Sequence, residues 1–202
     1  MQQQLFSTIE SLPHARCFVA LCMTFKNHPM SNQTLPKFAR YFLLFLTLLL
    51  AQFGQAQTAQ KQIQYLSGRD NHPTVQWDFY CTGGRKSGFW STIAVPSCWE
   101  QQGFGLYNYG RDYKTYGKNF RFADEQGLYK HRFPVPAGWR GRRVEIVFEG
   151  SMTDTEVKVN GQVAGAVHQG AFYRFKYDIT DKLKFGEDNL LEVKVSKMSA
   201  EA

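Results

Sequence analysis

The chain has few of the residues that carry metal or redox chemistry. Its 202 residues include only four cysteines and five histidines. His131 and His168 lack the spacing to other histidines, cysteines or acids that a metal site requires. The sequence also contains no Gly-x-Ser-x-Gly elbow and no glycine-rich phosphate loop between a strand and a helix. We therefore expect neither a metal ion nor an organic cofactor.

Long apolar runs are absent except for one in the first third. Residues 41–53 carry no charge, follow Lys37 and Arg40, and precede small residues up to Ala56. A secretory signal peptide typically has a basic flank, a short apolar core and small residues at its cleavage site. A membrane anchor is the alternative, but a spanning helix needs about 20 apolar residues. We predict a leader over residues 1–56, cleavage near Ala56, no stable membrane span, and a periplasmic or extracellular location.

The segment before that apolar run is long and polar for an export signal. Met30 would begin a compact basic segment directly in front of the run. Translation from Met1 and from Met30 both stay open, and our hypothesis is that it begins at Met30.

The basic excess is too diffuse for a nucleic-acid partner. Removing the leader takes away Arg16, Lys26, Lys37, Arg40 and Glu10, which lowers the formal charge from +7 to +4. A nucleic-acid footprint needs basic residues clustered on one face. We expect no nucleic acid.

Cys81 and Cys98 remain after the leader. In an exported domain they could form a disulfide. The alternative is two small buried side chains, because free cysteine is often buried. We expect two small buried side chains, since a core of this size needs no disulfide to be stable.

After a flexible lead-in at 57–73, apolar and polar residues alternate with a period of two, which predicts strands buried on one face. Asn160-Gly161 predicts a type I′ hairpin turn. Short strands separated by turns indicate an all-β sandwich or jelly roll. Seven residues should be buried together between the sheets, namely Trp77, Val144, Phe148, Val157, Val159, Leu191 and Val193. The predicted strands cover 75–81, 89–95, 128–135, 143–149, 155–160, 162–167, 172–177 and 190–195.

A series of motifs carries a family resemblance. In order they are Val95-Pro96-Ser97-Cys98-Trp99-Glu100, Gly127-Leu128-Tyr129, Phe148-Glu149-Gly150, Val159-Asn160-Gly161, Asp178-Ile179-Thr180 and Gly186-Glu187-Asp188-Asn189. In this order they resemble the N-terminal sugar-binding domain of family 2 glycoside hydrolases, the β-galactosidase, β-glucuronidase and β-mannosidase group. The resemblance implies a galactose-binding-like jelly-roll β-sandwich over 74–202, C-terminally incomplete and missing its last strand.

The resemblance also implies how the parent protein works. In that family both catalytic carboxylates come from a separate (β/α)8 barrel. The implied partners are a β-linked glycoside and, in the parent, downstream immunoglobulin-like and barrel domains. We therefore expect this chain to have no catalytic residue and to be inert alone. The resemblance implies a structural role for Glu100. We also expect turn or strand-edge positions for three further acidic residues, Glu149, Asp154 and Asp178.

The longest stretch without a strand pattern, residues 100–126, is dense in glycine and tyrosine. Tyrosine offers a flat ring and a hydroxyl to a sugar, and glycine lets the backbone approach it. The candidate substrate-binding residues are Tyr107, Asn108 and Tyr109. The resemblance implies that Asn108 reaches the sugar, although the family's intervening threonine is missing. Alternatively, the loop packs against the next domain.

Two functions of different classes follow. The chain is either the front piece of an exported family 2 glycosidase or a stand-alone carbohydrate-binding or adhesion module on the same jelly roll. Fold alone does not separate them, because jelly rolls host many functions. The number and order of the motifs favour the glycosidase piece.

Overall fold

The computed structural model describes residues 7–12, 60–69, 73–106 and 123–199. The apolar run at 41–53, the alternative start at Met30 and the candidate residues Tyr107, Asn108 and Tyr109 lie outside these ranges. Within them, no helix is long and apolar enough to cross a membrane.

The alternating sequence forms antiparallel strands in two sheets. The first sheet has the order β10-β6-β1-β2, and the second has the order β4-β3-β5-β11-β7-β8, with β9 also paired to β7. The strands are β1 (Ser7–Leu12), β2 (Gln62–Tyr65), β3 (Val75–Cys81), β4 (Trp90–Val95), β5 (Gln126–Pro134), β6 (Arg143–Phe148), β7 (Asp154–Val159), β8 (Gln162–Val163), β9 (His168–Gln169), β10 (Phe175–Asp178) and β11 (Asp188–Ser196).

One core joins the two sheets and confirms the β-sandwich prediction. Ile146 and Phe148 of β6 are fully buried in the same cluster as Trp77 and Phe79 of β3. All seven residues that the alternation assigned to the core are buried. Cys81 and Cys98 are both buried, which agrees with the expectation of two small buried side chains.

Strand lengths differ from prediction where the chain leaves the sheet. The predicted strand at 162–167 ends at Val163, and His168–Gln169 returns to pair with β7. A Cβ on Gly165 would come within 2.4 Å of the Tyr177 ring, so the chain turns at a glycine packed against an aromatic side chain. The predicted strand at 172–177 begins only at Phe175.

Strand β1 is a difference from the sequence analysis, which assigned its residues to the leader and gave them no place in the sandwich. It lies between β2 and β6 and pairs with both. Its Ile9 side chain is fully buried in the core. Glu10 of the same strand forms ion pairs with Lys61 at 2.9 Å and Arg174 at 3.2 Å. Pairing with strands far along the chain completes this sheet, and local periodicity does not reveal such pairing.

The predicted hairpin turn is confirmed. Asn160 and Gly161 have φ values of +52° and +79°, which is the left-handed pair that a type I′ turn needs. The Asn160 amide also donates to the carbonyl of Lys182 at 2.8 Å, and its Oδ1 accepts from the Leu190 backbone N–H at 3.0 Å. The asparagine therefore fixes both the turn and the start of β11.

The Asp178-Ile179-Thr180 motif is structural, as expected. Asp178 Oδ1 accepts from the Thr180 backbone N–H at 3.1 Å and from its hydroxyl at 2.6 Å. The Thr180 hydroxyl oxygen accepts in turn from the Val144 backbone N–H at 2.8 Å. Partial desolvation raises the pKa of Asp178, but the two hydrogen bonds from Thr180 and the Arg143 guanidinium outweigh it and lower the pKa below its ordinary value. The motif thus ties the end of β10 to β6.

Candidate functional site

The described structure shows how the two ends of the glycine- and tyrosine-rich loop are held. Leu106 is the last described residue before Tyr107, and Ala123 is the first described residue after the gap. Leu106 donates its backbone N–H to Glu125 Oε1 at 2.7 Å. Lys197 donates its ammonium to the Leu106 carbonyl and, at 2.9 Å, to Glu125 Oε1. One lysine and one glutamate therefore bind both sides of the loop base.

A second carboxylate completes this cluster. Lys197 Nζ lies 2.8 Å from Glu100 Oε1. The Cys98 thiol donates to Glu100 Oε2 at 2.7 Å. The side chains of Lys197, Glu100 and Glu125 are only 1–3% exposed. We call these three residues the loop-base cluster. A buried charge is tolerated only when it is paired and hydrogen-bonded, which is how each of them is held.

The loop base also rests on aromatic side chains. The Phe79 ring lies 5.9 Å from the Trp99 ring and 5.0 Å from the Phe104 ring, edge to face in the second case. A Cβ on Gly127 would lie 2.4 Å from the Trp99 ring. Only glycine fits at this position near the start of β5, so the glycine of the Gly-Leu-Tyr motif packs against the tryptophan of the Trp-Glu motif.

Gly105 lies beside the loop-base cluster, next to Glu125 and Trp99. It has a φ of +63°, and a Cβ there would lie 2.5 Å from Glu125 Oε1. Its backbone pairs with Arg85 through hydrogen bonds of 3.1 Å and 2.8 Å. The chain therefore enters the loop at a fixed position and direction.

Burial raises the pKa values of two side chains near the loop-base cluster, Cys81 and Tyr129. Desolvation raises the pKa of the Cys81 thiol, and the Glu125 carboxylate adds to that effect. Desolvation also raises the pKa of Tyr129 well above its ordinary value, with a further contribution from Glu100. Both groups stay neutral at physiological pH.

The loop-base cluster is not a pair of glycosidase carboxylates. A retaining mechanism needs two carboxyl groups about 5 Å apart in an open cleft. Glu100 and Glu125 approach the same ammonium, but both are buried and bound to it. A glycosidic oxygen has no access to them. Among the described residues, no group of three or more His, Cys, Asp or Glu side chains is placed to hold a metal ion.

Lys197 was not predicted as a functional residue, because it follows the last predicted strand. A usable signal existed, since Lys197 continues the alternation of Leu191, Val193 and Val195, which point inward from β11. A lysine on that face requires buried acidic partners. The structural role that the resemblance implies for Glu100 agrees with its burial beside Lys197, and Glu125 had no predicted role.

Comparison with known proteins gives the family. A profile described as "Glycosyl hydrolases family 2, sugar binding domain" matches residues 86–202, more than half of the chain. The chain belongs to this family. The matched range contains the loop, Glu100, Glu125 and Lys197, together with the hairpin at Asn160, so the motif-based resemblance is confirmed.

Several glycosidases are similar over part of their length. A β-galactosidase of Thermoanaerobacter pseudethanolicus is 40% identical over 79 residues, which cover 39% of this chain and 10% of the relative. A β-glucuronidase of Formosa agariphila is 38% identical over 68 residues, which cover 34% of this chain and 7% of the relative. The matched region is thus about a tenth of these relatives.

Solved structures of the family are also similar. A β-glucuronidase of Faecalibacterium prausnitzii is 28% identical with a TM-score of 0.42, over 60% of this chain and 20% of that protein. A family 2 member from Bacteroides cellulosilyticus is 23% identical with a TM-score of 0.46, over 61% of this chain and 17% of that protein.

Proposed function

We propose that this chain is the N-terminal sugar-binding domain of an exported family 2 β-glycosidase and lends its glycine- and tyrosine-rich loop to the substrate pocket of the whole enzyme. The observation that carries the proposal is the family match over 86–202, which includes the loop and both of its ends. The parent would hydrolyse O-glycosyl bonds with carboxylates of a downstream barrel, beyond an immunoglobulin-like domain. This chain would shape the pocket and perform no chemistry.

The loop-base cluster supports a positioning role. A loop that contacts substrate must present its side chains within a fraction of an ångström, which requires rigid ends. Glu125 binds the entry backbone at Leu106, and its own carbonyl accepts from the Lys197 backbone N–H at 3.3 Å. Tyr107, Asn108 and Tyr109 follow this fixed point directly.

The test of the loop uses the parent enzyme with its barrel. Replacing Asn108 by alanine should lower kcat/KM on aryl β-glycosides without changing the melting temperature. Asn119→Ala, the same change in the same segment, is the matched control and should leave kcat/KM unchanged. Equal kinetics for wild type and Asn108→Ala would favour a loop that only packs against the next domain.

The inertness of the chain alone has its own test. The purified 202-residue chain should show no turnover of aryl β-galactosides, β-glucuronides or β-mannosides above buffer. Turnover that disappears on mutating one acidic residue of this chain would contradict the proposal.

Export is part of the same proposal. Mass spectrometry of the protein from the periplasm or medium should find an N-terminus at Gln57. A peptide spanning Ser11 to Arg16 in the mature protein would contradict cleavage near Ala56. Such a peptide would instead support β1 as a strand of the sandwich in the mature protein.

A further inference from the structure

The outer face of the larger sheet carries an ordered row of side chains. Trp90 of β4 lies opposite Tyr80, and Tyr80 lies opposite Leu128. The row continues from Leu128 to Lys194 and from Lys194 to Glu156. The intervening residues on these strands point into the core, so this row points outward.

A second row runs beside the first. Asp78 lies opposite Lys130, Lys130 opposite Glu192, and Glu192 opposite Lys158. A groove of about 280 Å³ is lined by residues of both rows, from Trp90 on β4 to Lys158 on β7. Four strand spacings of about 4.8 Å give this groove a length of about 19 Å.

Trp90 is exposed yet held in position. Trp90 is 46% exposed. The Tyr80 ring lies 5.6 Å from the Trp90 ring at an angle of 51°, and Lys130 Nζ lies 4.8 Å from the centre of the indole. An exposed apolar residue alone is ordinary. An indole braced at the end of a groove offers a rigid apolar platform.

The remainder of the groove offers hydrogen bonds in pairs. Lys130 Nζ lies 3.4 Å from Glu192 Oε1, and Lys194 Nζ lies 2.5 Å from Glu156 Oε1. Each pair places donors beside acceptors. Vicinal hydroxyls of a sugar, which donate and accept equally, match such pairs. The charges of Lys158 and Asp78 balance across the second row, so the face as a whole does not select for charge.

We propose that this groove is a binding site for a neutral, extended β-linked oligosaccharide. One pyranose ring stacks on Trp90, and the hydroxyls of the following sugars bind the two Lys–Glu pairs. The site goes beyond the proposed function, because it needs no barrel and uses none of the loop residues. Its ligand is a chain of several sugars, since the groove runs across the sheet from β4 to β7.

The test is calorimetric titration of the purified 202-residue chain with cellohexaose and with β-1,4-galactohexaose. At least one should bind with a dissociation constant of about 1 mM or lower. Glucose and galactose should bind too weakly to measure, because each fills a fraction of the groove. Binding should also change Trp fluorescence. No binding of either hexasaccharide overturns the proposal, whatever the outcome of the hydrolysis assays on the parent.

Matched variants locate the site. Trp90→Ala should weaken binding by about tenfold, the loss expected for one aromatic stacking contact. Phe89→Ala is the control, because Phe89 is 54% exposed, precedes Trp90 and does not line the groove. Binding that survives Trp90→Ala, or falls equally in Phe89→Ala, overturns the site.

Lys194→Ala keeps the test decisive if Trp90→Ala unfolds. Exposed ion pairs contribute little to stability, so this variant should fold, and it should also weaken binding. Unchanged binding in Lys194→Ala overturns the proposal.

A final titration uses an acidic probe, hexagalacturonate. Salt-sensitive binding of this probe alone would show simple charge attraction and would overturn a neutral-sugar site.

Discussion

The side-chain amide of Asn160 donates to Asn189 Oδ1 at 2.7 Å. Asn160 belongs to the Val-Asn-Gly hairpin, and Asn189 belongs to the Gly-Glu-Asp-Asn corner. Asn189 Oδ1 also accepts from the Lys184 backbone N–H at 2.8 Å. Two motifs that are distant in sequence are therefore halves of one hydrogen-bond network, which explains why both are present together.

The first prediction concerns this network. Asn160→Gly, which keeps the left-handed turn, and Asn189→Ala should each lower the free energy of unfolding by about 1–3 kcal/mol, because partly buried backbone groups lose their hydrogen-bond partners. The double variant should lose less than the sum, since the two side chains contact each other. Urea unfolding measures all three. Strictly additive losses would contradict the network.

The second prediction concerns the loop-base cluster. Lys197→Met should cost about 3–5 kcal/mol, because it leaves two buried carboxylates without their cation. Lys194→Met is the control, since Lys194 forms a partly exposed pair with Glu156 and should cost less than about 1 kcal/mol. Thermal unfolding of both variants checks this. A loss below 1 kcal/mol for Lys197→Met would contradict the buried ion pairs.

The third prediction concerns β1. Ile9→Ala should cost about 2–5 kcal/mol, as expected for a fully buried aliphatic side chain. Ser11→Ala should be neutral or stabilising, because the buried Ser11 hydroxyl has no hydrogen-bond partner among the described residues. Urea unfolding of the 202-residue chain distinguishes the two. No effect of Ile9→Ala would show that residues 7–12 act only as leader.

The fourth prediction concerns pH. His131 stacks on Trp77, with ring centres 4.7 Å apart and planes 8° from parallel. Burial lowers the pKa of His131 below its ordinary value of 6.5, although Asp78 acts in the opposite direction. The unfolded chain therefore binds this proton more readily than the folded one. Stability should be full above pH 6.5 and fall as the pH drops below it.

Replacing His131 by phenylalanine keeps the ring stacked and removes the titration. Urea unfolding of this variant and the wild type at several pH values between 8 and 5 measures the difference. The stability of His131→Phe should decline less steeply over the acidic half of the range. Parallel curves would show that the His131 pKa is the same in both states.

Much of the sandwich could be predicted from the sequence. Alternation located β3, β6, β7 and β11 closely, and Asn160-Gly161 identified the hairpin, because side-chain period and turn dihedrals are local properties. The same alternation gave the core. The ends of strands were less certain, as at Val163, because they depend on a glycine packing against a distant tyrosine.

Only the tertiary structure decided which distant groups meet. The position of β1 between β2 and β6, the burial of Lys197 between Glu100 and Glu125, and the alignment of Trp90 with Lys194 and Glu156 all depend on strand order and register. Strand order and register are set by the summed packing of both sheets, which no short stretch of sequence contains. The sequence by itself determined most of the strands, the family and the buried face, and the fold decided how the strands build a loop base and a groove.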